Sequence, residues 1–456
     1  MKTPTCAEIQ CRPGVWYPFS PVSTVVPRAS QILSFLNLGL LGLIVGFAPV
    51  LEGGTTHVAV MILRLLVVSA AMLNLWIWIR QGGVPHRQAR VVWPMGMFLL
   101  LSFLGTLWSP YVQPSLQWVL TLCVYAGLLY LLVVSLHEWD HLYMAAAMVM
   151  LVGLIESGLA LLQYSSGGVS RPAGSFFNPN FLAGYVNPLS LLAAGVVAYA
   201  PTRVGRWSPG YGCAGAAFLV LVAAMVVTGS RGAWIAWMMG ACVVSSLRWG
   251  MRKTGLLCGL ALTLLLLIPN PLVSRMQAEH QANPETYARW GLLKSAIQEA
   301  GDYPQGIGLG LYQYLYPRYA VPIEGTIARY GKHAQTPHNE YAQILVEVGI
   351  IGLVVFFWGI MALGQDLLSS LRARLTRSQR GVLVGVVGGI VAILGHAWFD
   401  SNLHEPGIAV LLILLVAMGL ATPFLKQHFQ QPALQPLSHP RVWVGTGCIG
   451  LAITVA

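Results

Sequence analysis

The segment Thr336-Pro337-His338-Asn339-Glu340-Tyr341 stands at the head of a long apolar run. An imidazole titrates near neutrality, so His338 is the side chain here best suited to take a proton from a reacting hydroxyl. A lone histidine at a helix start serves as often as a cap or an interface residue. Here Asn339 and Glu340 follow it directly, and Pro337 before the apolar run marks a helix start, which places His338 and Asn339 in the first turn. Two arginines complement it. Arg231 lies between Gly229-Ser230 and Gly232-Ala233 at the start of another apolar run, and Arg289 lies within Pro284–Ile297. The planar guanidinium fork suits paired phosphate oxygens in a partly dry setting. The competing readings are an interfacial arginine snorkelling to headgroups for Arg231 and a solvated helix face for Arg289. Apolar residues at 290, 293, 296 and 297 predict an amphipathic helix lying on a membrane surface. The turn-rich stretch Pro304-Gln305-Gly306-Ile307-Gly308-Leu309-Gly310 could bring backbone amides to an anion, although it follows no strand and is not a P-loop.

This inventory excludes some chemistries and fits another. Glycoside hydrolysis requires two carboxylates flanking the scissile bond, and no such pair is evident. His333, His396 and His404 are possible metal ligands, but no H-E-x-x-H or D-x-D pattern accompanies them, so no metal or other cofactor is expected. Transfer from a diphosphate leaving group asks for less. The diphosphate departs without protonation if cations hold its charge, and the acceptor hydroxyl needs one base. One histidine and two arginines meet that demand, and a lipid-borne diphosphate would explain a site at a membrane face.

The elements that must hold these residues are membrane helices. The chain has 456 residues, of which 56% are hydrophobic and 9% charged, with a mean hydropathy of +0.67. That is too little charge to cover a water-facing surface, so a soluble enzyme is excluded. Runs of spanning length occur near 32–51, 56–79, 91–108, 115–136, 141–164, 180–200, 211–228, 231–247, 254–269, 338–364, 381–398 and 405–425, which predicts an all-α polytopic membrane protein of about twelve helices. With the N-terminus in the cytoplasm, most of the 26 lysines and arginines fall inside, among them Arg80, Arg87, Arg90, Arg372, Arg374, Arg377 and Arg380. The short outer loops then keep only Arg171 and Arg231. The net charge of +11 is therefore mainly an orientation signal, and no nucleic-acid partner is expected. The first span itself would serve for targeting, and the even count returns the C-terminal tail to the cytoplasm. Scattered cysteines without a C-x-x-C pair predict no disulfide.

The expected organisation is a nine-helix membrane region over 1–269, an outer segment with amphipathic helices over 270–337, a three-helix membrane region over 338–425, and a tail or partial extra span over 426–456. Outward-facing segments then hold Arg171 to Asn180, Gly229 to Gly232, the whole of 270–337, and Asp400, Asn402 and His404. Arg64 and Glu156 fall inside spans, where ionisable groups pair, line a water cavity or mark a substrate path.

The run His338-Asn339, nine residues, Gly349, two residues, Gly352 fits the pattern H-[NSQ]-x9-G-x-x-[GTY], and its surroundings resemble the signature of bacterial O-antigen ligases. Arg231-Gly232-Ala233-Trp234-Ile235 is similar to that family's R-x3-L element, with Ile235 where leucine is usual. Phe177-Asn178-Pro179-Asn180 through Gly184 and Phe399-Asp400-Ser401-Asn402-Leu403-His404 resemble two further elements of a superfamily that also holds O-antigen polymerases and protein O-oligosaccharyltransferases. The resemblance runs from about 170 to 410. It implies a GT-C-like glycosyltransferase of the bacterial inner membrane that uses no metal. Such an enzyme moves a glycan from undecaprenyl diphosphate to a sugar hydroxyl of the lipid A core on the periplasmic side, with inversion at the anomeric carbon. Carried onto this chain, His338 is the base or the orienting group for the acceptor hydroxyl, Arg231 and Arg289 hold the diphosphate, and Asn339, Tyr341, Asn178, Asn180, Asp400 and His404 support them. Lipid-linked glycan, lipid A core and membrane lipids are the implied partners. One long outer segment favours a ligase over a polymerase. A transporter or flippase would have Arg64 and Glu156 lining its path, but no inverted repeat supports one.

Overall fold

A computed structural model of the chain describes residues 28–85, 87–201, 209–256, 284–320, 334–425 and 434–436. Almost every element is a helix. In chain order they are α1 (Arg28–Phe47), α2 (His57–Gln81), α3 (Val92–Gly105), α4 (Val112–Ser135), α5 (Trp139–Ser165), α6 (Pro179–Ala198), α7 (Pro209–Thr228), α8 (Arg231–Trp249), α9 (Pro284–Asp302), α10 (Tyr312–Tyr319), α11 (Glu340–Leu371), α12 (Arg377–His396) and α13 (Pro406–Ala421). Two three-residue strands, Gly83–Pro85 and Leu434–Pro436, pair antiparallel. Among the described residues eight helices are long and apolar enough to cross a membrane, and Leu33–Phe47 and Val92–Gly105 are shorter apolar helices. The chain is thus an all-α, multi-pass membrane protein. Eleven of the twelve apolar runs read from the sequence fall on these helices; the remaining one, 254–269, lies largely outside the described residues, as do 270–283, 321–333 with His333, and most of the tail.

The centre of the bundle is α6, buried along most of its length, with α12 and α8 against it. Glycines set that packing. A Cβ on Gly195 would stand 2.5 Å from the Gly385 backbone, and one on Gly240 would stand 2.5 Å from the Gly388 carbonyl oxygen. In lipid, where apolar burial drives helix association little, such small residues let helix backbones approach and gain dispersion contact. The close approach brings the ends of α6, α8 and α12 to one corner, and the chemically interesting loops leave from it.

Helix α11 is broken. Gly349 has φ +81°, which only glycine adopts at little cost, and the break frees the carbonyls before it. The stretch Pro304–Gly310 docks there: Ile307 N donates to Val346 O at 3.1 Å, Gly308 N to Glu347 O at 3.0 Å, and Ile350 N to Pro304 O at 3.0 Å. A Cβ on Gly349 would stand 2.5 Å from the Gln305 carbonyl carbon. The glycine of the histidine motif therefore serves a backbone junction between the Pro304–Gly310 stretch and α11.

Candidate active site

His338 precedes α11 and adopts φ +51°, one of three non-glycine residues in the left-handed region among the described residues. The helix proper starts at Glu340, with Asn339 as its N-cap. This corrects the expectation that His338 and Asn339 occupy the first turn. Asparagine caps helices well because its side-chain oxygen takes an orphan amide. Here Asn339 Oδ1 accepts from Ala342 N at 2.9 Å, while its Nδ2 donates to Trp398 O at 3.1 Å. The cap ties α11 to the loop after α12, and Glu340 N adds a bond to Ala397 O at 2.9 Å. A residue strained at φ > 0 and held on both sides is a reason to suspect function.

That loop carries Asp400. Its Oδ1 accepts from His338 Nδ1 at 2.8 Å and from Ser401 N at 3.1 Å, and its Oδ2 accepts from Asn180 Nδ2 at 3.2 Å. Arg289 Nη2, on α9, lies 4.0 Å from the same Oδ2. Burial raises the Asp400 carboxyl, but the hydrogen bond and charge of His338, with the charges of His396 and Arg289, outweigh it and hold the group below its ordinary value. A carboxylate only accepts hydrogen bonds, so His338 Nδ1 donates to it, and in the neutral imidazole the lone pair is then on Nε2. The His338 side chain is 35% exposed and Asp400 only 1%, an arrangement in which a buried acid orients a base reachable from outside.

Arg231 opens α8 and is half-buried. Its neighbour Gly232 meets the Asp400 loop directly, since a Cβ there would stand 2.6 Å from Phe399 Cβ and 3.3 Å from His396 Cδ2. Asn178 is the N-cap of α6 and accepts from Asn180 N at 2.9 Å, which presents Asn180 to Asp400. The structure thus gathers His338, Asn339, Asp400, Asn178, Asn180, Arg231 and Arg289 at one corner.

Tyr341 and His404 make no contact with the His338–Asp400 pair themselves and bond to its neighbours. The Tyr341 hydroxyl donates to Leu394 O at 2.7 Å, and its ring stacks on Phe357. His404 sits between Glu340, 2.9 Å away, and Glu347, 3.9 Å away. Burial alone would lower the imidazole, yet these two carboxylates raise it well above its ordinary value, and the ring is part of a buried polar cluster with Glu340 and Glu347. The glycine-rich stretch does receive an anion, but the anion is internal: Glu347 Oε2 accepts from Gly310 N at 2.8 Å and Oε1 from Tyr312 N at 3.3 Å.

Helix α9 buries Leu292, Ser295, Ala296, Glu299 and Ala300, and leaves Trp290 and Ile297 exposed. The stripe expected at 290, 293, 296 and 297 is therefore displaced by about a third of a turn. The small residues at 295, 296 and 300 allow close packing on α11, and sequence hydrophobicity overweights the larger Trp290 and Ile297. Glu299 is fully buried, and neither carboxyl oxygen meets a hydrogen-bond partner among the described residues. Burial and then the Glu347 charge push its carboxyl up to about 8. The folded protein thus keeps a proton that the unfolded chain releases above its ordinary 4.5, so this contribution to stability is present at acid pH and is lost as pH rises towards the folded value. We expect the thermal midpoint of the purified protein to fall across that window, and Glu299→Gln to flatten the fall. An unchanged slope in the variant would place the titrating group elsewhere.

The two ionisable residues read inside spans make no pair with each other. Glu156 accepts from Ser175 N at 2.9 Å and from Ser175 Oγ at 2.7 Å, pinning the loop before α6. Arg64 donates to Thr121 Oγ1 at 2.7 Å, joining α2 to α4. Arg171, Glu299 and Glu347 are not among the residues expected at the site or in its support. For Arg171 a signal existed, since a base in a short outer loop runs against the charge bias. For the glutamates there was none, because their partners lie on other helices. An apolar groove of about 270 Å³ runs between α3, α4, α11 and α13. Among its lining residues, Leu394 accepts the Tyr341 bond and Leu403 lies in the Asp400 loop.

Apolar helices gathered around a charged corner define a multi-pass membrane protein whose polar chemistry sits at one end of its bundle. Residues 216–357 match the family model described as O-antigen ligase, which supports a place for this segment in the O-antigen ligase and polymerase superfamily, whose members are glycosyltransferase-like enzymes. The match spans Arg231, Arg289 and the His338 motif and ends before Asp400. No curated protein matches the chain.

Proposed function

We propose that this protein is an O-antigen ligase, transferring a glycan from undecaprenyl diphosphate to a sugar hydroxyl of the lipid A core at the periplasmic face of the bacterial inner membrane. The observation that carries this reading is the His338–Asp400 pair beside Arg289, within and next to the family segment. His338 Nε2 takes the acceptor proton as the hydroxyl oxygen attacks the anomeric carbon. The bond to the diphosphate breaks on the opposite face, inverting that centre. Arg231 and Arg289 hold the departing charge, so the leaving group needs neither a proton nor a metal. The apolar groove suits a prenyl chain whose diphosphate stays at the charged corner. The single long outer segment supports a ligase over a polymerase, and the distribution of bases supports an outward-facing site with both termini inside.

The deciding experiment is reconstitution of the purified protein with lipid-linked glycan, offered core lipid, a second lipid-linked glycan and a peptide in parallel. Glycosylated core lipid is the expected product. Extended lipid-linked glycan would make the protein a polymerase, glycosylated peptide would make it a protein glycosyltransferase, and no product from any acceptor would turn attention to transport. For the arginines, Arg231→Ala and Arg289→Ala should each impair use of the donor. Lysine at either position should rescue only partly, because a single ammonium cannot reproduce the bidentate fork. Full activity with lysine at both positions would argue against bidentate contact with the diphosphate.

A further inference from the structure

The polar contacts around Asp400 continue beyond it to a residue without an assigned role. Arg171, in the loop between α5 and α6, donates from Nη2 to Asn180 Oδ1 at 2.8 Å and from Nε to Thr228 O at 2.9 Å. Asn180 in turn donates from Nδ2 to Asp400 Oδ2. A guanidinium only donates and a carboxylate only accepts. Between the two, the Asn180 amide has a single satisfied orientation, with oxygen towards Arg171 and nitrogen towards Asp400. Were it reversed, its NH2 would face a donor and its oxygen would face the buried Asp400 carboxylate.

We propose that Arg171 is a positioning residue for the His338–Asp400 pair, acting by fixing the orientation of the Asn180 amide. With the amide fixed, Asp400 Oδ2 is occupied by Asn180, and Oδ1 is directed to His338 Nδ1 and Ser401 N. The proton of the imidazole then stays on Nδ1 and the lone pair on Nε2. The second bond, to the carbonyl of Thr228 at the end of α7, anchors the guanidinium three residues ahead of Arg231, so a single side chain holds the starts of α6 and α8 in register with the base. Retention of an arginine in a short outer loop, where bases are otherwise scarce, agrees with such a task.

This inference rests on the reading of His338 as the base, and the test separates the two. The assay is transfer by the full-length reconstituted protein with lipid-linked glycan as donor, in which loss of activity in His338→Ala establishes the reading first; an active His338→Ala protein would remove the reading, whatever Arg171 does. Glutamine at 171 can present either oxygen or nitrogen to Asn180, so Arg171→Gln should lower kcat by about tenfold, the weight of one hydrogen bond to a charged group, with the KM for the donor unchanged. Lysine is again donor-only, and Arg171→Lys should recover most of the kcat. In an Asn180→Ala background, Arg171→Gln should cost nothing more, because the group it acts through is gone. An equal loss in that background, or a loss confined to the donor KM, would instead mean direct contact with the diphosphate and would overturn the proposal. If Arg171→Gln does not fold, Asn180→Asp decides. It keeps a partner for Arg171 yet cannot donate to Asp400, so it should lose kcat to a similar extent, and full activity in it would equally overturn the proposal.

Discussion

Replacing His338 by alanine is expected to lower the transfer rate on the order of 10²–10⁴-fold, the range that a positioned general base supplies, while expression and donor binding stay close to wild type. The structure gives reasons for the second half of that expectation. The imidazole is part-exposed and its polar partner is Asp400, which retains Asn180 Nδ2 and Ser401 N when the ring is removed. The helix start depends on Asn339, whose cap bonds do not involve residue 338. The measurement is the initial rate of glycan transfer by reconstituted protein, beside binding of the lipid-linked donor. Turnover at the wild-type rate would remove His338 from the chemistry.

Asp400→Asn is expected to cost almost as much, through a different route. The substitution keeps the shape and replaces one accepting oxygen by a donating NH2. Placed at the Oδ1 position, that NH2 faces Ser401 N–H and His338 Nδ1–H; at the Oδ2 position it faces Asn180 NH2. Either way two donors meet, and the imidazole relieves the first conflict by moving its proton to Nε2, where it can no longer accept one. The buried negative charge that would stabilise the imidazolium is lost as well. A fall on the order of 10²–10⁴-fold follows from the wrong tautomer. Because the two residues act as a unit, the double variant should be no slower than His338→Ala alone. A fully active Asp400→Asn protein, or strictly multiplicative losses in the double variant, would dissolve the pair as a functional unit.

The spans, the class of fold and the histidine were legible because each rests on a local signal. Spanning length is counted along the chain, and the motif from His338 to Gly352 is a fixed spacing. The pairing of His338 with Asp400 was not, since the partners stand 62 positions apart and meet where the start of α11 is bonded to the Ala397 and Trp398 carbonyls of the loop after α12. Tyr341 and His404 share their neighbourhoods in the sequence with His338 and Asp400, yet their side chains leave on other sides and serve packing and a buried ion pair. The α9 stripe erred through size: Trp290 weighs heavily in a hydrophobicity count, while serine and alanine make the contact with α11. The glycine-rich stretch offers its amides as the sequence suggests they could, but to the side chain of Glu347 on α11, a partner no local signal announces.

The break at Gly349 also bears on how the chain is built into a bilayer. Carbonyls freed in mid-helix have no water to turn to in hydrocarbon, so a span broken at this point is tolerable only with partners already in place. Those partners, the amides of Ile307 and Gly308, precede α11 in the chain. On the proposed outward orientation of this segment, they already stand at the membrane face when α11 enters. Insertion of that helix and seating of the arm bearing Arg289 then become one event. A truncation that removed the glycine-rich stretch would therefore be felt first as a failure of biogenesis, before any question of catalysis arose.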